Sequence, residues 1–242
     1  MVRLSVGLED PIDLIGDIEW ALSAQTLLYL PDRIAMKLYY SPGSCALASH
    51  IALEESRTDY EAIRIDFGSA QQKSSEFLEV NPKGRVPALV TERGILTETP
   101  AILFFLAQSF PGVNMAPLED PFALAEAQSF NSYLCATVHV AHAHRGRGER
   151  WAYEESSFKD MRRKVPESVS ACFQLIEDTL IKGPWVLGDS YSMCDPYLYT
   201  VARWMEGDGV DINRFPKVKA QFDAIEARPA AARAIKAHFD GV

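Results

Sequence analysis

Apolar and polar positions follow two rhythms along this chain, and the change of rhythm divides it. From Met36 to about Phe110, short runs of near period two alternate with stretches of helical spacing. "KLYY" predicts a strand, "CALASHIALEES" a helix, and "YEAIRID" a second strand. "SSEFLEV" follows as a short helix, "VPALV" and "GILT" as two strands joined around Arg93-Gly94, and "PAILFFLAQSF" as a helix stopped by Pro111-Gly112. From Glu119 the strand rhythm disappears. Long segments of period 3.6, such as "FALAEAQSFNSYLCATVHVAHAH" and "ESVSACFQLIEDTLI", take over. "PGVNMAPLEDP", rich in proline, reads as the linker between the two parts.

The order βαβαββα over 36–112 indicates an α/β, thioredoxin-like domain, and 119–242 an all-helical one. Residues 1–35 form an N-terminal extension, because "MKLYYSPGSC" reads like the opening of a protein. The extension carries Glu9, Asp10, Asp13, Asp17, Glu19 and Asp32 against Arg3 and Arg33, unlike basic targeting peptides. Leu14, Ile15, Ile18 and Leu22 recur at helical spacing. Two expectations stand open: a misassigned start or poorly ordered tail, and a helix docked on the body.

Composition narrows the function classes. Hydrophobic residues make up 48% and charged residues 24%, the balance of an ordinary globular domain. No apolar run approaches the roughly 20 residues that span a bilayer. With 33 acidic against 24 basic side chains the net charge is −9, which repels a phosphate backbone; nucleic acid is not an expected partner. Cys45, Cys135, Cys172 and Cys194 are widely spaced, so neither a disulfide framework nor a zinc site is expected, and a reducing cytoplasm is the default location.

Three stretches carry candidate chemistry. Cys45 lies at a strand-to-helix junction, where unpaired backbone N–H groups and the helix dipole favour a thiolate and lower the thiol pKa; the competing reading is a small buried hydrophobe. In "NPKGRVPAL", Val86-Pro87 stands at the start of a strand. There a thioredoxin-like domain places a cis proline and leaves the preceding N–H and C=O free to pair with a peptide. In "TETPAILFFLAQ", Thr99 suits an N-cap and Pro100 the first helical position. The helix N-terminus would attract a carboxylate and Glu98 an ammonium; plain helix capping is compatible with both.

Together these stretches resemble the beta class of bacterial glutathione transferases. The family's "YxPGxCSLAxH" opening is matched by Tyr40, Pro42, Gly43, Cys45, Leu47, Ala48 and His50, with Ala46 in place of the usual serine. "NPKGRVPAL" is nearly the family's cis-proline segment. "TETPAI" resembles the segment that holds the γ-glutamyl end, with Thr99 and Pro100 replacing smaller residues. "SMCDPYL" resembles the C-terminal capping box, with Ser192 as N-cap and Asp195 at the third helical position.

The resemblance implies a glutathione site made of Cys45, Arg85, Val86, Pro87, Glu98 and Thr99, with Cys45, Tyr40 and His139 as catalytic groups. Cys45 would face the glutathione sulfur and can form a mixed disulfide with it. Tyr40 would line the pocket, Val86 pair with the cysteinyl backbone, and Glu98 and Thr99 take the γ-glutamyl end. His139 would reach toward the thiol as a cationic or hydrogen-bonding imidazole. Glutathione is then a co-substrate, with no other cofactor and no metal, and the protein a homodimer. The implied function is conjugation of glutathione to small electrophiles, with thiol-disulfide exchange through Cys45; the alternative is a non-catalytic binding module on the same fold.

The remaining features read mainly as structure. His139 and His142 can share a helix face, but His144 points about 200° from His142, so a metal site is not expected. One active-site histidine and two solvated ones is the simpler reading. "RGRGERW" is a basic patch on an acidic chain: a solvated helix end, or an attraction for glutathione or an acidic substrate. The glycines of "KGPWVLGDSYSMCDPYLYTVARW" fit neither nucleotide-binding spacing. Cys135, Cys172 and Cys194 fall in helical patterns as packing residues. The electrophile itself is not encoded, because its pocket is built from helical-domain side chains.

Overall fold

The computed structural model describes residues 36–240, and the expectations for residues 1–35 lie outside it. A four-stranded sheet of order β2-β1-β3-β4 carries the first part. Strand β1 (Met36–Tyr40) runs parallel to β2 (Tyr60–Arg64), with Leu38 opposite Ala62. Parallel neighbours need a crossover, supplied by helix α1 (Ala46–Ser56). Helix α2 (Ser75–Val80) is capped by the Ser74 hydroxyl, which accepts from the Phe77 N–H at 3.2 Å. Strands β3 (Ala88–Thr91) and β4 (Gly94–Thr97) form an antiparallel hairpin, and β3 pairs with β1 through Leu38 and Leu89, both fully buried. Helix α3 (Thr99–Ser109) closes this thioredoxin-like domain.

The helical domain begins with α4 (Pro121–Tyr133), whose first turn is capped by the Asp120 carboxylate accepting from the Phe122 and Ala123 N–H groups. It continues through a wide turn, in which the His139 N–H reaches the Leu134 carbonyl, into α5 (His139–Ala143). Such π-turns insert a residue and re-aim the side chains around them. Helix α6 (Glu155–Leu175) contains Pro166 and ends in a second wide turn, where the Ile181 N–H bonds the Ile176 carbonyl at 3.0 Å. Helices α7 (Cys194–Ala202), α8 (Pro216–Glu226) and α9 (Pro229–Phe239) complete the domain.

Helix α1 is buried on every side because it lies among α3, α7 and α9. This explains why Ala46–Leu53 is alanine-rich and apolar except at Ser49 and His50, with the charged Glu54 and Glu55 kept to the last turn. Helix α9 crosses back onto it, and Arg228 next to α9 pairs with Glu55 at 2.6 Å. Among the described residues no helix is long and apolar enough to cross a membrane.

The expected capping box is present, displaced from the helix boundary. Helix α7 starts at Cys194, yet the Ser192 hydroxyl accepts from the Cys194 N–H at 3.3 Å, and the Asp195 carboxylate accepts from the Ser192 N–H at 2.7 Å. Cys172 and Cys194 are buried packing residues as expected; Cys135 is only half-buried.

Candidate functional site

The turn that presents Cys45 is set by its own sequence. The Ser44 N–H closes it onto the Ser41 carbonyl at 3.1 Å, Pro42 leads, and Gly43 takes φ +68°, a value open to glycine without strain. Cys45 follows at the helix cap, half-buried, and its thiol donates to the Val86 carbonyl at 3.5 Å. The Val86-Pro87 bond is cis, as expected. Strand β3 therefore starts only at Ala88, since Pro87 has no N–H for the ladder.

Two expectations about Cys45 are corrected. The N–H groups of Ala46, Leu47 and Ala48 are taken by the Ser44 hydroxyl, the Ser44 carbonyl and the Cys45 carbonyl, so of the donors at this helix end it is the Cys45 N–H that favours the thiolate. Burial also pushes the Cys45 thiol above its ordinary range rather than below it. The Thr99 hydroxyl and the Arg147 guanidinium pull the other way without overcoming the burial.

The start of α3 differs in register from expectation. Glu98, not Thr99, is the cap residue, held at φ 74°, ψ 124°, a region that a side chain enters only at a cost of about 1–3 kcal/mol. Such strain persists where the surroundings over-determine it, commonly at ligand sites. Thr99 becomes the first helical residue and is buried, near enough to Cys45 for its hydroxyl to favour that residue's thiolate. Glu98 is half exposed and ion-paired with Lys83, whose ammonium also donates to the Thr97 hydroxyl at 2.7 Å.

Tyr40 is buried beneath this turn, its ring 4.6 Å from that of His238 and 5.3 Å from that of His50. Its hydroxyl donates to the Ala237 carbonyl of α9 at 3.2 Å. It is thus a wall of the site whose polar end is engaged elsewhere.

His139 packs against the Trp204 ring at 4.9 Å. Burial pushes its pKa down to about 4, and His142, Arg147, Arg150 and Arg85 add to the fall. At neutral pH it is an uncharged imidazole, which corrects the cationic alternative and leaves the hydrogen-bonding one. His142 and His144 are not simply solvated. His142 stacks on Trp204 at 4.4 Å, 6.4 Å from the His139 ring, and meets the buried Asp208 carboxylate at 2.8 Å, while His144 lies against Trp151.

Sequence reading missed the residues that tie these parts together. The Trp204 indole N–H donates to the Gly43 carbonyl at 2.9 Å, so a residue of the helical domain holds the turn that carries Cys45. Asp208 in turn fixes His142 and lies 3.5 Å from Arg145. No local signal marks these pairs, since 161 positions separate Trp204 from Gly43 and 66 separate Asp208 from His142.

The comparisons with known proteins agree with this geometry. Residues 34–108 match the glutathione S-transferase N-terminal domain family, and residues 149–238 the glutathione S-transferase C-terminal domain family. The chain belongs to the glutathione S-transferase family. It is 44% identical to a glutathione transferase homologue from Sulfitobacter whose structure has bound glutathione, covering 83% of this chain and 96% of that one at a TM-score of 0.80. A beta-class glutathione S-transferase from Sphingomonas chungbukensis is 29% identical over 84% of this chain and 98% of its own, at a TM-score of 0.73. Glutathione S-transferase GstA of Escherichia coli O157:H7 is 28% identical over 204 residues, covering 84% of this chain and 98% of that protein. This transferase therefore has the fold of an enzyme family, and the bacterial relatives agree with the beta-class motifs of its sequence.

Proposed function

We propose that this protein conjugates reduced glutathione to small electrophiles at a site built on Cys45, Val86-Pro87, Glu98 and Thr99, with His139 and Arg147 above it. The observation that carries the reading is the contact between the Cys45 thiol and the Val86 carbonyl, which puts the candidate thiol and the cis-proline edge around one volume. In the reaction the glutathione thiol loses its proton to solvent, its sulfur bonds the electrophilic carbon, and the leaving group departs with the bonding electrons. Because burial keeps Cys45 protonated, its S–H is suited to turn from the Val86 carbonyl and donate its hydrogen bond to that sulfur anion. The Thr99 hydroxyl and the Arg147 charge act in the same sense. Glutathione-agarose retention followed by an assay with 1-chloro-2,4-dinitrobenzene tests the reading; a protein that neither binds the resin nor conjugates the halide overturns it.

Thiol-disulfide exchange through Cys45 is the second reading. Its support is that Cys45 is only half-buried, with the Thr99 hydroxyl, the Arg147 charge and its own backbone N–H favouring its thiolate.

Glu98 is assigned to the ligand's ammonium. Glu98→Ala is expected to weaken glutathione binding about tenfold, the lower end of the 1.5–3 kcal/mol range for a charged hydrogen bond, because the carboxylate is half exposed. An unchanged calorimetric affinity removes Glu98 from the site.

The family resemblance further supports a homodimer, and Ile95 on β4 and Phe122 at the start of α4 expose 44% and 75% of their surface. Light scattering at micromolar concentration is expected to give twice the chain mass of 26.9 kDa; the single mass contradicts the assignment.

A further inference from the structure

The turn that carries Cys45 is held from outside by the last turn of helix α9. Its crest is Gly43, at φ +68°, where there is no side chain to anchor it. The Ser44 N–H and the Ser44 hydroxyl both donate to the Ser41 carbonyl, at 3.1 and 2.7 Å, and so close the turn on itself. These bonds fix its shape. Its place relative to the rest of the molecule is set by α7 and α9.

Helix α9 runs antiparallel along α1. The Arg228–Glu55 and Arg233–Glu54 ion pairs fasten its beginning to the end of α1, and its own end reaches the turn that precedes α1. Two contacts are made there. The Ala237 carbonyl, in the last helical turn where carbonyls lack intrahelical donors, accepts from the Tyr40 hydroxyl at 3.2 Å. The Phe239 ring stands over Gly43, so that a Cβ on that glycine would meet it at 3.7 Å. The first contact holds the residue from which the chain enters the turn, and the second holds the crest.

Phe239 is not a core residue. It exposes 38% of its surface and belongs to neither of the two clusters of buried side chains. Its ring is covered instead by the Arg203 guanidinium at 4.4 Å, which is itself fixed by the Tyr199 hydroxyl at 2.7 Å and the Glu226 carboxylate at 3.2 Å. Arg203 precedes Trp204, whose indole N–H donates to the Gly43 carbonyl at 2.9 Å. Consecutive residues thus hold the ring and the glycine beneath it. A partly solvated ring adds little to the stability of the fold, yet this one is held by a cation that is itself bonded on two sides. That is the arrangement of a part that fixes a position.

We propose that Phe239, held by Arg203, is a positioning residue for the reaction: it keeps the Pro42-Gly43 turn, and through it the Cys45 thiol, in place against the cis-proline edge. The proposal rests on the glutathione-conjugating reading above, in which the Cys45 S–H serves the glutathione sulfur. The approach that a loosened turn would spoil is that of the thiol to the Val86 carbonyl, at 3.5 Å. A displacement of about 1 Å near a reacting centre can cost about 10²-fold in rate, so a small loosening is enough to register.

The test uses Phe239→Ala, which removes the ring, and Ile235→Ala, which weakens the docking of the same helix away from the turn. With glutathione and 1-chloro-2,4-dinitrobenzene, Phe239→Ala is expected to lower kcat/KM about three- to fivefold when Cys45 is present. In a Cys45→Ala background the same substitution should change it by less than about 1.5-fold, because a residue that acts through Cys45 then has nothing to position. The second readout is the rate of Cys45 alkylation by iodoacetamide between pH 7 and 9, assigned by peptide mapping. Phe239→Ala should move that profile to lower pH, since burial is what raises the thiol and a freed turn is less buried. Ile235→Ala should match the wild type in both readouts. An equal loss in the two backgrounds, an unmoved alkylation profile, or an Ile235→Ala variant that behaves like Phe239→Ala overturns the proposal. If the wild-type protein neither binds glutathione nor conjugates the halide, the conjugation reading has failed, and the alkylation profile alone decides whether Phe239 positions Cys45.

Discussion

Asp195→Ala is expected to destabilise the protein by about 3–5 kcal/mol, a large share of the 5–15 kcal/mol that holds an ordinary domain. Asp195 is fully buried and accepts from the Val186 N–H at 2.8 Å, the Ser192 N–H at 2.7 Å, the Ser192 hydroxyl at 2.9 Å and the Gln221 side-chain amide at 3.3 Å. Truncation leaves two buried backbone donors and the Ser192 hydroxyl without their acceptor, each costing about 1–3 kcal/mol, and undoes the capping box of α7, while the Gln221 amide keeps the Asp195 backbone carbonyl at 3.0 Å. That helix is buried throughout its length and packs on α1, so the damage reaches the element that presents Cys45. Urea unfolding of the two proteins at pH 7 measures the cost, and a difference under about 1 kcal/mol sinks the assignment. A pH dependence goes with it. Burial pushes the Asp195 carboxyl up to about 6, against the pull of its hydrogen bonds. A carboxyl raised in the folded state is protonated there first, so its contribution is fully present below the unfolded value near 4 and declines as pH rises to about 6. The gap between wild type and variant should therefore be wider at pH 4 than at pH 7.

Elements whose cause is local were legible in the sequence, and those whose cause is remote were not. The strands, α1, α2 and the cis-proline segment each follow from a few adjacent residues, and they stand where expected to within two positions. The sequence reading marked helical spacing from Glu167 onward, in "ESVSACFQLIEDTLI". The structure runs α6 from Glu155 straight through Pro166, its first half held by Phe158 packed over Gly148. Thr99 was read as a cap because its chemistry fits one. Its burial beside Cys45 decided otherwise, and the strained Glu98 took the cap position. The site shows the same division. Cys45 and Val86-Pro87 announce themselves by motif, but the direction of the Cys45 pKa depends on how much of the helical domain covers it. The Trp204 and Asp208 contributions arise only when distant segments meet.

Oxidised glutathione is expected to add to Cys45 and to leave the other three cysteines free. In the exchange the Cys45 thiolate attacks one sulfur of the disulfide, forming a Cys45–glutathione bond and releasing the other glutathione as its thiolate. Cys172 and Cys194 are buried, and burial raises both thiols. The real competitor is Cys135, half-buried, whose thiol is raised by burial and by the Glu98 carboxylate, with the Tyr197 hydroxyl alone pulling the other way. Cys45 instead has the Thr99 hydroxyl and the Arg147 charge on the side of its thiolate. Its own burial still keeps the thiolate fraction small at pH 7, so the rate of adduct formation should climb steadily from pH 7 to 9 rather than level off below pH 8. Cys45→Ala is expected to abolish the adduct while leaving glutathione affinity and a measurable share of aryl-halide conjugation, within about tenfold of wild type. One hydrogen bond to the sulfur is worth about 1–1.5 kcal/mol, and Thr99 and Arg147 remain. Intact-protein mass spectrometry followed by peptide mapping reads the site. An adduct on Cys135 that spares Cys45 makes Cys135 the exchanging thiol, and a Cys45→Ala variant with no conjugation at all makes Cys45 indispensable to the transfer itself.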